Sequence, residues 1–267
     1  MLSPERPLVL VGAGNMGGAM LEGWLAAGTS PRSIVVIEPS PPDTQALATP
    51  GLTVTATAPD GITASTLVLA VKPQVMGEVL PKLTGLRDEA TLVVSIAAGI
   101  TIETLKTLGR GPVVRAIPNT PSSVGKGMTA AVADGAGEKD VALADKLLSS
   151  IGTVEWVDDE ALIDVATAVS GSGPAYVFYL VEALAAAGEK AGLPADVAAV
   201  LARRTIIGAG ALLDRSPLDP ATLRRNVTSP GGTTAAALEV LMAGDGLGPL
   251  MERAVAAATA RSRELGS

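Results

Sequence analysis

The chain contains no histidine and no cysteine. Without histidine it cannot be a Ser-His-Asp hydrolase or a dehydrogenase that relies on an imidazole acid. Without cysteine it has no disulfide, thiolate nucleophile or cysteine–zinc site, and nothing in the sequence suggests a metal centre. Aromatic residues make up only 2% of a chain that is 48% hydrophobic. Its core must therefore be packed from Ala, Val, Leu and Ile, which allow close helix–helix and helix–sheet contact. The net charge of −7 denies it the basic face that nucleic acid requires. The most apolar helical window, residues 197–213, is broken by Arg203 and Arg204, so no membrane span is expected. The opening residues, Met1 to Pro7, lead straight into a strand pattern rather than a secretion signal. The expectation is a soluble cytoplasmic protein.

What the sequence does have is alternation. Short β-branched runs at residues 8–11, 34–38, 52–54, 67–71, 92–96, 113–117, 129–132 and 154–157 are separated by helical stretches such as 16–27 and 75–83. Most of the runs are continuously apolar, as in strands buried on both faces. This βαβ rhythm predicts an α/β fold: a Rossmann-type, doubly wound, mostly parallel sheet over residues 1–160. After Glu160 no strand pattern returns. Residues 161–169, 175–191, 195–213 and 233–242 read as helices, with Gly192-Leu193-Pro194 a helix stop and restart. Ala and Leu run nearly all round the helices between Val177 and Leu213. Such helices must be buried, and a small helical domain buries them best against a second subunit. Residues 161–267 are thus expected to form an all-α dimerisation domain.

The first chemistry-bearing motif is Gly12-Ala13-Gly14-Asn15-Met16-Gly17, between an apolar strand and an apolar helix. Gly12 permits the tight turn, Gly14 lets the backbone approach a pyrophosphate, and Gly17 lets the helix pack on the strand. The helix start offers free N–H groups and a positive dipole end to the phosphates. The second strand ends in Glu38, where a dinucleotide fold places an acid for the ribose hydroxyls. An acid there repels a 2′-phosphate and favours NADH. Ser40 and Thr44 can still contact a phosphate, so NADPH stays open. Ala70-Val71-Lys72-Pro73, Ser95-Ile96-Ala97-Ala98-Gly99 and Arg115-Ala116-Ile117-Pro118-Asn119-Thr120-Pro121 end three further strands. Ligands of open parallel sheets lie beyond such ends.

In the helical half, Glu160 precedes Leu162-Ile163-Asp164. Ser170-Gly171-Ser172-Gly173-Pro174-Ala175-Tyr176 reads as a tight opening to a helix, with Pro174 in its first turn. Asn226-Val227-Thr228-Ser229-Pro230-Gly231-Gly232-Thr233-Thr234 precedes another helix, and its backbone N–H groups form an anion pocket suited to a carboxylate. Alcohol oxidation or ketone reduction needs a proton-transfer group. No Tyr-x-x-x-Lys is present, since Tyr176 is followed at that spacing by Leu180 and Tyr179 by Ala183. After Gly173 no lysine appears before Lys190. An imine can arrive protonated and accept hydride without a strong enzymic acid, and one hydroxyl, such as that of Thr234, suffices to orient it.

Taken together, these segments resemble the pyrroline-5-carboxylate reductase family. The run from Asp164 to Tyr176, the run from Val227 to Thr234 with Ala237-Leu238 after it, Ala70 to Pro73 and Pro118 to Pro121 carry the likeness, which covers essentially the whole chain. The resemblance implies reduction of (S)-1-pyrroline-5-carboxylate to L-proline with NADPH or NADH, the last step of proline biosynthesis. It implies cofactor contacts at the glycine loop, at Thr57, at Ala70, Val71, Lys72 and Pro73, and at Ile96, Ala97 and Ala98. It implies substrate contacts at Glu160, Asn226, Thr233 and Thr234, with the carboxylate on the backbone of Gly231, Gly232 and the two threonines and Thr234 as the catalytic hydroxyl. It also implies an interleaved homodimer, often assembled into a decamer. Glu38-Pro39-Ser40 departs from NADP-preferring members, which often show small or basic residues there. Two alternatives remain: a reductase of a related cyclic imine or β-hydroxyacid, and a non-catalytic NAD(P)-binding redox sensor.

Overall fold

The structure is a computed structural model that describes residues 3–266. Met1, Leu2 and Ser267 lie outside the described residues. The first part of the chain alternates β1 (Leu8–Val11), α1 (Asn15–Ala26), β2 (Ile34–Ile37), β3 (Thr53–Thr55), β4 (Thr66–Leu69), α2 (Met76–Leu83), β5 (Leu92–Ser95), α3 (Ile102–Lys106) and β6 (Val113–Ile117). Then come β7 (Gly127–Asp134), α4 (Glu138–Leu148), β8 (Gly152–Trp156) and α5 (Ala161–Ala166). Each expected strand is present, displaced at its ends by no more than the fraying of such boundaries.

The eight strands form one sheet in the order β3-β2-β1-β4-β5-β6-β7-β8. β1 pairs in parallel with β2 on one side and β4 on the other, so chain direction across the sheet reverses at β1. The loops after β1 and β4 diverge there and open the crevice where doubly wound sheets bind ligands. The last two strands break the parallel rule: β7 runs antiparallel to β6, and β8, parallel to β7, shares its direction. Only a loop with a 3-10 turn, Thr120–Val124, joins β6 to β7, and a parallel return needs a longer crossover. α4 supplies such a crossover, and β8 pairs with β7 in parallel.

The period-2 alternation of side chains divides the core. Val9, Val11, Leu67, Leu69 and Val93 pack with Met76, Leu80, Leu83 and Leu105 from α2 and α3 on one face. Leu8, Leu10, Val68 and Val94 pack with Met20, Leu21, Trp24, Leu147 and Leu148 from α1 and α4 on the other. The buried Trp24 indole N–H donates to the Leu147 carbonyl at 2.9 Å, so the largest core side chain leaves no polar atom unpaired.

The chain folds as two compact units. One runs to Ser172 and takes back the chain from Ala258 onward; the other is Gly173–Ala257. The change of sequence pattern at residue 160 does not coincide with this division. α5 is helical but belongs to the sheet unit, because Ile163 is buried in the core over β6 and β7. Beyond α5 the expected glycine-rich opening is wound as a π-turn, Thr167–Gly171. The Ser172 N–H donates to the Thr167 carbonyl at 2.8 Å, and the Thr167 and Ser170 hydroxyls donate back to the Ile163 and Ala166 carbonyls. Side-chain bonds of this kind loosen the helical ladder without ending it.

The second unit contains α6 (Gly173–Lys190), α7 (Ala195–Arg215), α8 (Pro220–Asn226), α9 (Thr233–Leu241) and most of α10 (Leu247–Leu265). α6 and α7 form a hairpin about Gly192, at φ +109°. Gly188 faces the turn and the start of α7, since a β-carbon there would lie 3.3 Å from Leu193 Cδ1 and 3.5 Å from Ala198 Cβ. α6 buries no residue and α7 only Ala198 and Ala202. Phe178 (62%), Tyr179 (69%) and Val200 (60%) are exposed, and an apolar face of that extent marks an association surface. No helix among the described residues is long and apolar enough to cross a membrane.

Candidate active site

The glycine loop carries out three separate tasks. Gly12 sits at φ +93°, and a β-carbon there would lie 2.9 Å from the Ala70 carbonyl oxygen; only glycine fits both the turn and the approach to the end of β4. A β-carbon at Gly17 would collide with the Gly12 carbonyl oxygen, so α1 can start this close to the turn only with glycine there. Gly14, the exposed N-cap of α1, faces open space with nothing within 4 Å. No side chain caps this helix, and its first N–H groups are free for an anion. The uncapped dipole and the open approach at Gly14, where no β-carbon intrudes, together fit a pyrophosphate.

Beside the loop lies a cavity of 850 Å³, within the usual range for small-molecule sites. Its walls bring together Gly12, Gly14, Glu38, Thr57, Ala70, Val71 and Lys72, which were read from scattered parts of the sequence. The Glu38 carboxylate stands at its edge. Oε2 accepts the Ala13 N–H at 2.9 Å and Oε1 accepts the Ser40 N–H at 3.1 Å. These bonds fix the acid to the glycine loop and leave lone pairs for further donors. Ala13, Asn15, Met16, Gly17, Ser40 and Pro73 support the loops around this cavity without lining it. Ile96 and Ala97 are buried and Ala98 exposed at the end of β5, also off the cavity wall.

Sequence reasoning missed the wall built by α2. Val75, Glu78, Val79 and Lys82 line the cavity, and their spacing of three, four and seven places them on one helical face. That spacing is visible in the sequence, but nothing there says which face meets the crevice. Among the described residues no cluster of acidic side chains could hold a metal ion.

The second unit builds the other candidate feature. The Gly232 N–H donates to the Ser229 carbonyl at 3.0 Å across Pro230 and Gly231, and Gly231 has φ +66°. This is a type II turn, with proline and glycine at the positions such a turn favours. It delivers Gly232 as the N-cap of α9 without a side-chain cap. The N–H groups of Thr233 and Thr234 thus open the helix unpaired by it, beside two hydroxyls. Asn226 closes α8 just upstream and is exposed. Glu160 belongs to the sheet unit. One of its oxygens accepts the Ile102 N–H and the Arg115 Nη1–H, each at 2.8 Å. In the first unit, Asn119 is likewise committed to protein partners: its side chain donates to the Ser170 carbonyl at 3.0 Å and accepts the Met128 N–H at 2.9 Å.

Comparison with known proteins accounts for both halves. A family model described as pyrroline-5-carboxylate reductase dimerisation matches residues 160–265. One described as NADP oxidoreductase, coenzyme F420-dependent, matches residues 7–99. A pyrroline-5-carboxylate reductase of Pisum sativum is 40% identical over 99% of this chain and 98% of its own. A solved pyrroline-5-carboxylate reductase of Coxiella burnetii is 35% identical and superposes with a TM-score of 0.88, covering 98% of this chain and 99% of that one. The Plasmodium falciparum pyrroline carboxylate reductase, solved with NADP bound, is 29% identical, with a TM-score of 0.78 over 99% of each chain.

Proposed function

The chain belongs to the pyrroline-5-carboxylate reductase family, and from that premise we propose that it reduces (S)-1-pyrroline-5-carboxylate to L-proline with NADH or NADPH. The observation that carries the reading is that each unit offers an anion site of its own character: the pyrophosphate cradle of Gly12, Gly14 and Gly17 in the first, and the uncapped start of α9 beside Thr233 and Thr234 in the second. The second suits a small carboxylate.

A bound reduced nicotinamide supplies the hydride. The protein's own part is binding and orientation. The amides of Gly231, Thr233 and Thr234 hold the substrate carboxylate, while the expected Gly232 amide is spent on the Ser229 carbonyl in the turn; Asn226 steadies the ring, and the Thr234 hydroxyl bonds to the ring nitrogen. The imine nitrogen is basic and arrives protonated, so hydride addition at C5 yields a neutral amine without an enzymic acid. This is why a chain without histidine can perform the reaction. With 4-deuterated NADH the product is expected to be proline carrying one deuterium at C5. Cofactor oxidation without labelled proline would exclude this chemistry.

Glu38 sets the cofactor preference toward NADH, because its carboxylate, tied to the Ala13 and Ser40 amides at the wall of the cavity, would repel a 2′-phosphate brought to it. Glu38→Ala is expected to raise the Kd for NADH about tenfold and to leave NADPH binding unchanged or tighter. Equal weakening of both in a fluorescence titration would remove Glu38 from the ribose site.

The dimerisation domain forms a homodimer through the apolar faces of α6 and α7, and the decamer common in the family belongs to this reading. Phe178→Asp replaces one exposed ring by a charge. It is expected to cost about 3 kcal/mol of association, about a hundredfold in the dimer constant. An unchanged mass in sedimentation at low concentration would take Phe178 out of the interface.

A further inference from the structure

Residues 96–101 leave the end of β5 and run into α3, where one carboxylate, itself held by a network of distant groups, anchors the start of the helix. Glu160 Oε1 accepts the N–H of Ile102, the first residue of α3, at 2.8 Å. Arg115, in the middle of β6 and 5% exposed, reaches the same Glu160 oxygen at 2.8 Å and Asp164 Oδ1 at 3.6 Å. The buried Ser262 hydroxyl, on the last turns of α10, donates to Asp164 Oδ1 at 2.7 Å. Just past it, Leu265 and Gly266 lie against the loop itself. A β-carbon at Gly99, at φ +74°, would lie 3.0 Å from the Leu265 carbonyl oxygen, and one at Gly266 would lie 3.1 Å from the Gly99 carbonyl oxygen.

Backbone contact this close at both glycines holds the last turn of α10 against the loop. Behind that contact is a mostly buried network whose members satisfy one another. Removing one partner leaves a desolvated charge or hydroxyl unpaired, and that penalty makes such networks hold one geometry.

We propose that the C-terminal turn of α10, latched by Ser262 to Asp164, clamps the 96–101 loop in its cofactor-binding form, and that Glu160 is a positioning residue of this clamp rather than a substrate contact. The inference rests on the reading that Ile96, Ala97 and Ala98 touch the cofactor. It assigns Glu160 through its bonds to Ile102 and Arg115, which the resemblance alone did not reveal.

The test uses full-length Ser262→Ala and Glu160→Gln, with three readouts: amide exchange of residues 96–102 without cofactor, Kd for NADH, and KM for pyrroline-5-carboxylate. In both variants exchange is expected to quicken about tenfold, the NADH Kd to rise about three- to tenfold, and the KM for the imine to stay within about twofold. Unchanged exchange in Ser262→Ala, a mild truncation that should not impair folding, would overturn the clamp. Faster exchange with an unchanged NADH Kd would show that the clamp exists but the loop does not meet the cofactor, overturning the reading beneath it. A raised KM for the imine in Glu160→Gln, with exchange and NADH Kd unchanged, would return Glu160 to the substrate.

Discussion

Thr234→Ala is expected to lower kcat for pyrroline-5-carboxylate about ten- to a hundredfold while leaving the Kd for NADH within about twofold. One hydrogen bond to a charged or developing amine is worth about 1.5–3 kcal/mol, and each 1.4 kcal/mol is a factor of ten in rate. The effect should fall on kcat because the hydroxyl orients the nitrogen, whereas the carboxylate is held by backbone amides that the substitution leaves in place. Thr234 is the second residue of α9 and only partly buried, so the truncation creates little cavity and the fold should survive. Thr234→Ser keeps the oxygen and should recover most of the rate. Loss of cofactor binding in Thr234→Ala, or an unchanged kcat, would take the hydroxyl away from the reacting ring.

The second large effect separates two glycines of one motif. Gly17→Ala forces a methyl into the Gly12 carbonyl, so α1 must move away from the turn. Overpacking of this kind costs about 1–3 kcal/mol, and the displaced N–H groups should also weaken NADH binding about a hundredfold. Gly14→Ala meets nothing within 4 Å in the protein and should leave the melting temperature nearly unchanged. It too should weaken NADH, because its methyl occupies the approach of the pyrophosphate. Calorimetry and titration of the two variants read this directly: one loses stability and affinity, the other affinity alone. A Gly14→Ala protein that binds NADH as before would place the phosphates elsewhere.

The contrast between these glycines shows what the sequence can carry. The motif order of strand, glycines, helix and acid is written in local residue types, and the structure places Gly12, Gly14 and Glu38 at one cavity. Strand positions were legible for the same reason, since runs such as Ile34-Val35-Val36-Ile37 are buried on both faces whatever their neighbours. The reversal of β7 was not legible. It depends on the lack of a helical crossover between β6 and β7, and a 3-10 turn leaves little pattern. The α2 wall was invisible because a helix announces its apolar face but not what the opposite edge overlooks.

The division between units was hidden by a related limit. Helical periodicity begins at Ala161, yet Ile163 packs into the sheet core and Ser262 bonds back to Asp164. A pattern of secondary structure reports elements, and the unit to which an element belongs is fixed by long-range contacts. Glu160 illustrates the same point at the level of a side chain. The family resemblance implies a substrate contact there, whereas its bonds to Arg115 and Ile102 join partners that no local spacing predicts.

The most direct test of the account is a set of steady-state rates measured with NADH and with NADPH on three acceptors: pyrroline-5-carboxylate, its six-membered cyclic imine homologue, and a β-ketoacid that would yield a β-hydroxyacid. The account predicts the highest kcat/KM for pyrroline-5-carboxylate, a lower value for the larger ring, none for the ketone, and NADH ahead of NADPH. Turnover of the ketone at a comparable rate, or no turnover of pyrroline-5-carboxylate with either nicotinamide, would contradict it.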